Sequence, residues 1–224
     1  MISPGVPPSQ GGPRLDNLAL PALIVLGYVI GCFVTGYYLV RLRAGTDIRH
    51  VGSRSAGTLN VRRELGTRGA LLTLAADMAK GAFACAIAVY YGLQAWEVTL
   101  VALAVIAGHV WPAQLGFRGG KGAATAGGTI MVLDFQVALG IIALFLPVLA
   151  VLRRFTRSGV VCVALAPVVA LTLRGPTQRV LQIAVLAALV LFAHRENVIE
   201  IWRARQPDQD DQKTRSHASK GIWR

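Results

Sequence analysis

The sequence predicts an all-α membrane protein, a polytopic bundle of about seven transmembrane helices. Three observations predict it: 54% of the 224 residues are hydrophobic and only 15% charged, the mean hydropathy is +0.54, and the apolar residues fall in long runs separated by short basic segments. Soluble domains carry about 25% charge, and a disordered chain lacks such apolar runs. The 23 Lys and Arg against 11 Asp and Glu give a formal net charge of +12. An excess of this sign suits nucleic acid or acidic lipid. Here the bases are scattered between apolar runs and do not cover one soluble module, which argues against nucleic acid. Cys32, Cys85 and Cys162 each lie inside an apolar run with no paired or metal-type spacing, and read as buried, inert thiols.

A helix that crosses a hydrocarbon core of roughly 30 Å needs ~20 mostly apolar residues. Residues 1–18, rich in Pro and Gly with one base at Arg14, have no signal-peptide order and read as a disordered tail. The first span is Ala19 to Val40, whose Gly27, Gly31 and Gly36 are spaced for close helix contact. Gly69 to Tyr91 and Trp96 to Leu115 follow. Ala123 to Leu133 is short for a crossing, Phe135 to Leu152 is full length, Ser158 to Leu173 is marginal, and Arg179 to His194 completes the set. Residues 19–205 form one membrane domain, and the polar, mixed-charge stretch 206–224 a cytoplasmic tail.

Lys and Arg are retained on the cytoplasmic side. Arg41, Arg43, Arg49, Arg54, Arg62, Arg63 and Arg68 follow the first span, whereas the turn Gly92 to Ala95 holds no base. Arg118 and Lys121, then Arg153, Arg154 and Arg157, and finally the bases after His194 fall on the same side. The amino terminus is therefore expected outside and the carboxyl terminus inside. Only Arg174 and Arg179 break the alternation.

Four segments carry residues that a passive bundle does not need. Asp77 and Lys80 lie one turn apart inside the second apolar run, where an isolated charge costs a few kcal/mol. They are either a self-neutralising pair that pins helix packing or a pair that orders an anionic site. The first cytoplasmic segment, Val51 to Arg63, interleaves Gly52, Ser53, Gly57, Thr58 and Asn60 with arginines, the composition of an anion cradle. A plain positive-inside loop would account for the arginines but not for the small and hydroxylated residues. The second, Gly108-His109-Val110-Trp111-Pro112 and then Gly116 to Gly122, is only superficially a P-loop. Leu115 stands at the first Gly position, and Gly122 follows the lysine where a Mg²⁺-binding hydroxyl is required. What remains is a flexible glycine run that presents Arg118, Lys121 and free N–H groups of Gly119 and Gly120. His109 ends a span, a place for a packing residue as much as for a functional one. His194 and Asn197 share one helix face at the end of the last span, which also suits a plain helix terminus.

Taken in order, these segments resemble the bacterial acyl-phosphate:glycerol-3-phosphate acyltransferases, from about Gly27 to Asn197. The family's G-S-G-N-x-G-A-T-N-x-x-R is matched by Gly52, Ser53, Gly57, Asn60 and Arg63, and its D-x-x-K-G by Asp77, Lys80 and Gly81. Its G-H-x-x-P…F-K-G-G-K-G-x-A-T is matched by Gly108, His109, Pro112, Phe117, Gly119, Gly120, Lys121, Gly122, Ala124 and Thr125, and its H-x-x-N by His194 and Asn197. Arg54-Ser55 stands where the family has Gly-Asn, Thr58-Leu59 where it has Ala-Thr, and Arg118 at its first Lys. The serine-bearing stretch after the fifth span is echoed loosely by Arg153 to Ser158, with no fixed register.

The resemblance implies transfer of a fatty acyl group from acyl phosphate to the 1-hydroxyl of glycerol 3-phosphate, giving lysophosphatidate and phosphate in a monomeric enzyme of the bacterial cytoplasmic membrane. It implies Ser53, Gly57, Asn60, Arg63, Lys80, Arg118, Gly119, Gly120 and Lys121 as phosphate-binding residues, Asp77 as site-ordering, and His194, Lys121, Asn197 and His109 as candidates for catalysis. An acyl phosphate is already activated, so neither an acyl-enzyme nor a cofactor or metal is called for, and the residues spell no Ser-His-Asp set or zinc cluster. The general base stays open among His194, His109 and a substrate phosphate oxygen. The rival readings are an anion transporter lined by Asp77 and Lys80, and a family member that has lost activity.

Overall fold

The computed structural model describes residues 18–197 and residue 199. The two expected tails, 1–18 and 206–224, lie outside the described residues except for Leu18. Among the described residues eight helices follow in order: α1 (Ala19–Cys32), α2 (Thr35–Ala44), α3 (Thr58–Tyr90), α4 (Ala95–Val110), α5 (Ala123–Leu133), α6 (Phe135–Leu152), α7 (Phe155–Arg174) and α8 (Gln178–Ala193). Single 3-10 turns stand at Ile48–His50 and Ala113–Leu115, and no strand occurs among the described residues.

The first span proves to be interrupted. Phe33 and Val34 leave helical geometry, so that Ala19–Ala44 is one apolar stretch made of α1 and α2. The second is preceded by a short helical piece, because Gly66 within α3 takes φ 70° and ψ −170°. Residues 58–65 therefore lie before the break and the apolar crossing after it. Among the described residues five stretches have the length and composition to cross a membrane, the marginal sixth candidate among them as the full 20-residue α7. The fourth and seventh are the shorter apolar helices α5 and α8.

α4 is the most enclosed of these spans and α6 the least. Val101, Val105 and Ile106 of α4 meet Cys85 and Ala88 of α3, Ile130 of α5 and Ile183, Leu186 and Val190 of α8 in the core, and all three cysteines are free and buried. Between apolar helices in lipid, close backbone approach supplies the packing energy. Gly31 and Gly108 let α1 and α4 touch: a Cβ on Gly31 would overlap the Val105 carbonyl, and one on Gly108 the Tyr28 carbonyl. Gly81 and Gly128 do the same for α3 and α5, against the carbonyls of Thr125 and Met78.

The two arginines that break the charge alternation find an acid at their own end of the bundle. Arg174 forms a two-pronged pair with Asp134, both bonds at 2.7 Å, and Arg179 Nε lies 3.9 Å from the same carboxylate. Asp134 also caps α6 by accepting from the Val137 N–H at 3.1 Å. At the opposite end the first turns of α3, α5 and α7 and the last turn of α8 converge, and they enclose the cavity described next.

Candidate active site

The cavity has a volume of about 210 Å³. Gly57, Thr58, Leu59 and Asn60 from the start of α3, Gly122, Ala123 and Ala124 from the start of α5, and Phe155, Thr156 and Gly159 from the start of α7 line it. A helix N-terminus has backbone N–H groups without intrahelical acceptors and carries roughly half a positive charge. None of these three starts is capped by its own side chain, whereas α4 and α6, which begin at the other end, are. Three open N-termini around one small space, with Lys121 on its wall, make a receptor for anions.

The cavity brings together eight of the residues singled out from the sequence: Ser53, Gly57, Asn60, Asp77, His109, Lys121, His194 and Asn197. They do different work. Asn60 is buried, and its amide donates to the carbonyls of Ile48, Val51 and Ser55 at 3.0–3.1 Å while its Oδ1 accepts from the Ser53 N–H at 3.1 Å. Its hydrogen-bonding capacity is thus used within the protein. It holds the first loop in shape instead of offering donors to a ligand.

The expectation of free glycine N–H groups is also corrected. The Gly119 N–H donates to Val110 O at 3.0 Å and the Gly120 N–H to His109 O at 3.1 Å, and neither glycine lies on the cavity wall. Their smallness serves contact: a Cβ on Gly120 would overlap His109 Nε2, so the bare backbone lies against the imidazole. Gly119 O accepts from the Ala56 N–H at 3.4 Å and so joins the two loops.

Lys80, expected among the phosphate-binding residues, does not line the cavity. Its ammonium donates to Phe33 O at 2.7 Å and Gly31 O at 3.2 Å, and stands 2.9 Å from Asp77 Oδ1 and 2.8 Å from His109 Nδ1. The break after α1 frees carbonyls that inside a membrane each cost several kcal/mol if left bare. Lys80 takes two of them, and Gln114 Nε2 takes the one between, Cys32 O. Asp77, which also accepts from Thr35 Oγ1 at 3.0 Å, balances the charge. The pair is therefore self-neutralising and fastens the broken helix behind the cavity wall. Because an ammonium can only donate, the facing His109 Nδ1 accepts and bears no proton.

His194 differs in this respect. Its Nδ1 lies 2.8 Å from Val190 O, an acceptor, so Nδ1 carries the hydrogen of the neutral ring and Nε2 keeps a lone pair. Lys121 Nζ donates to Asn197 Oδ1, which joins the glycine loop to the end of α8. Arg63 and Arg118 are exposed and do not line the cavity, although the Arg63 guanidinium lies beside Gly52. Arg54 takes φ 55°, a left-handed backbone in which a glycine would be unstrained, at the position where the resembling motif carries one.

Two contributions are absent from the sequence reading. Thr156 supplies a hydroxyl to the wall, while Ser158, two residues on, is buried and donates to Arg154 O at 3.0 Å. The two hydroxyls of the Arg153 to Ser158 stretch were the available signal, but the sequence could not choose between them. Arg49, counted only as a topological charge, donates to Leu115 O at 2.5 Å, pairs with Asp47 at 2.7 Å and stacks on Tyr37. It ties the first loop to the second. The Arg49 guanidinium lowers the Asp47 carboxyl from 3.8 to about 2.

A family model described as glycerol-3-phosphate acyltransferase matches residues 21–204. The chain is 43% identical over 179 residues to glycerol-3-phosphate acyltransferase 1 of Desulfitobacterium hafniense (strain Y51), which covers 80% of this chain and 89% of the relative. It is 42% identical over 185 residues to the glycerol-3-phosphate acyltransferase of Rubrobacter xylanophilus, with 82% and 92% covered. Among solved structures, PlsY (YgiH), an integral membrane glycerol 3-phosphate acyltransferase, superposes in its glycerol 3-phosphate form with a TM-score of 0.77 at 30% identity, covering 84% of this chain and 94% of that one. Its lysophosphatidic acid form gives a TM-score of 0.74 at 28% identity.

Proposed function

This chain belongs to the glycerol-3-phosphate acyltransferase family of integral membrane enzymes, and on that premise we propose that it moves a fatty acyl group from acyl phosphate to the 1-hydroxyl of glycerol 3-phosphate. The products are lysophosphatidate and inorganic phosphate. The observation that carries the reading is the convergence of three uncapped helix N-termini with Lys121 and His194 on one cavity. Both substrates are phosphorylated anions, and such a cradle stabilises phosphate without a metal.

In this reading the α3, α5 and α7 starts and Lys121 hold the phosphates, with Ser53, Gly57 and Thr156 as nearby donors. Leu74, Val160, Val163, Val190 and Leu191 line the remaining wall and receive the first carbons of the acyl chain. The hydroxyl oxygen of glycerol 3-phosphate attacks the acyl carbon, an ester C–O bond forms, and the acyl–phosphate C–O bond breaks. The hydroxyl proton is balanced by the departing group, which leaves as hydrogen phosphate. His194 Nε2, the one available lone pair among the two buried imidazoles, accepts the hydrogen bond of the attacking hydroxyl and orients it. Asn197 fixes Lys121. Gly119 and Gly120 position His109, and Asp77 and Lys80 position the wall behind it.

The enzyme works as a monomer in the bacterial cytoplasmic membrane, its cavity on the cytoplasmic side, its amino terminus outside and its carboxyl terminus inside. The basic loops around the cavity favour that orientation. The transporter reading loses its support because Asp77 and Lys80 are bonded to each other and to backbone. The test is release of phosphate from palmitoyl phosphate by the purified protein, dependent on added glycerol 3-phosphate. Lys121→Ala and His194→Ala are each expected to slow it by at least 10²-fold. Wild-type turnover in both variants would overturn the assignment, and no turnover in the wild-type chain would favour a member that has lost activity.

A further inference from the structure

The far end of the bundle holds a second, open cavity of about 640 Å³, lined by residues of the α5–α6 turn together with Arg174, Thr177 and Arg179. Asp134 neutralises one arginine: Arg174 takes both carboxylate oxygens at 2.7 Å. Arg179 is left with one distant contact, Nε at 3.9 Å, and its Nη1 is buried without a hydrogen-bond partner. One turn further along α8, on the same face, Gln182 is fully buried and neither its Nε2 nor its Oε1 is bonded. These atoms are enclosed by protein and Gln182 is not on the cavity wall, so the ligand-facing part of Arg179 is the rest of its guanidinium, on the wall and 26% exposed. With Asp134 counted against both arginines the cluster keeps one positive charge.

We propose that this cavity binds the phosphate of a membrane phospholipid through Arg179, with the Thr177 hydroxyl as a second donor. With Nη1 enclosed and Nε turned toward Asp134, Nη2 is the group that offers a phosphate a charge-assisted hydrogen bond. Thr177 begins α8 without a side-chain bond to its own helix, so its hydroxyl is available. The surroundings select a lipid over a soluble phosphate. Met131, Val132, Leu133 and Phe135 form the apolar part of the rim, and below it Phe135, Leu139, Ile142 and Leu146 of α6 are exposed at helical spacing. A headgroup seated at Arg179 lays its acyl chains along that stripe. The site lies at the opposite end of the bundle from the catalytic cavity and does not depend on the function proposed for it.

The test is native mass spectrometry of the detergent-purified protein titrated with phosphatidylglycerol. Arg179→Gln is expected to weaken binding about tenfold, as the loss of a charge-assisted hydrogen bond requires, and Thr177→Val to weaken it severalfold. Arg68→Gln, an exposed arginine on α3, is expected to leave it unchanged. Thermal unfolding of each variant at the wild-type temperature keeps a binding loss distinct from misfolding. Equal affinity in wild type, Arg179→Gln and Thr177→Val would overturn the proposal. So would displacement of the lipid by an equal concentration of inorganic phosphate, which would make the ligand a soluble anion, or a loss seen only in Lys121→Ala, which would place the lipid in the catalytic cavity.

Discussion

Lys80 Nζ stands 2.8 Å from His109 Nδ1, and through this contact the broken first span is coupled to the wall of the cavity. The same ammonium holds the Phe33 and Gly31 carbonyls, so the position of the α1–α2 break and the tautomer of His109 are set by one side chain.

Replacing Lys80 by Met strands Asp77 and two carbonyls in a buried place. Breaking a buried pair by removing one partner costs about 3–5 kcal/mol. Lys80→Met is expected to lower the unfolding temperature in detergent sharply, and the double variant Asp77→Leu/Lys80→Met to recover part of the loss because no lone charge remains. A double variant no more stable than Lys80→Met would show that the carbonyls, not Asp77, dominate the cost.

Gly120 tests the contact on the other side of the imidazole. A methyl group there would overlap His109 Nε2. Overpacking of this kind costs about 1–3 kcal/mol, and the ring can relieve it only by leaving Lys80 or the cavity wall. Gly120→Ala is expected to lower both the unfolding temperature and kcat, with KM for glycerol 3-phosphate less affected. A variant with wild-type stability and kcat would mean that the loop yields instead of the ring.

The Asp47–Arg49 pair makes the joined loops sensitive to acid. The folded Asp47 carboxyl is lowered to about 2 from an ordinary value of 3.8. Its contribution to stability is therefore present in full above the ordinary value and is lost as pH falls through about 2. The gap in unfolding temperature between wild type and Asp47→Asn is expected to be constant at neutral pH and to narrow below about pH 4. A gap that holds its size down to about pH 2.5 would remove the pair from this role.

The helices were legible because periodicity plays little part when whole helices are apolar: length and the spacing of basic segments suffice, and α5 was recognisably short. The break at Phe33–Val34 was not, because neither residue is Pro or Gly and the flanking Gly31 and Gly36 read as helix-contact glycines. It exists through Lys80 and Gln114, which are distant in sequence. Among the site residues, Lys121, His194 and Asn197 were read from motif order. Gly119, Gly120 and Asn60, expected to face a ligand, bond within the chain, and one physical reason hid this. A glycine or an amide that binds a ligand looks the same in sequence as one that binds its own chain, and only the partners at about 3 Å distinguish them.

The stretch after α6 offers the sharpest discrimination, because two hydroxyls compete for one role. Thr156 faces the cavity from the first turn of α7, and Ser158 is turned into the protein and bonded to Arg154 O. A hydrogen bond to a charged group is worth about 1.5–3 kcal/mol, which corresponds to roughly 10–100-fold in kcat/KM. Thr156→Val, which keeps the shape, is expected to show that loss at unchanged unfolding temperature, and Thr156→Ser to restore most of the activity. Ser158→Ala is expected to do the reverse, lowering stability by about 1 kcal/mol while turnover stays within twofold. Steady-state kinetics on the three variants check it. If Ser158→Ala loses turnover and Thr156→Val does not, α7 enters the site two residues later than the cavity indicates.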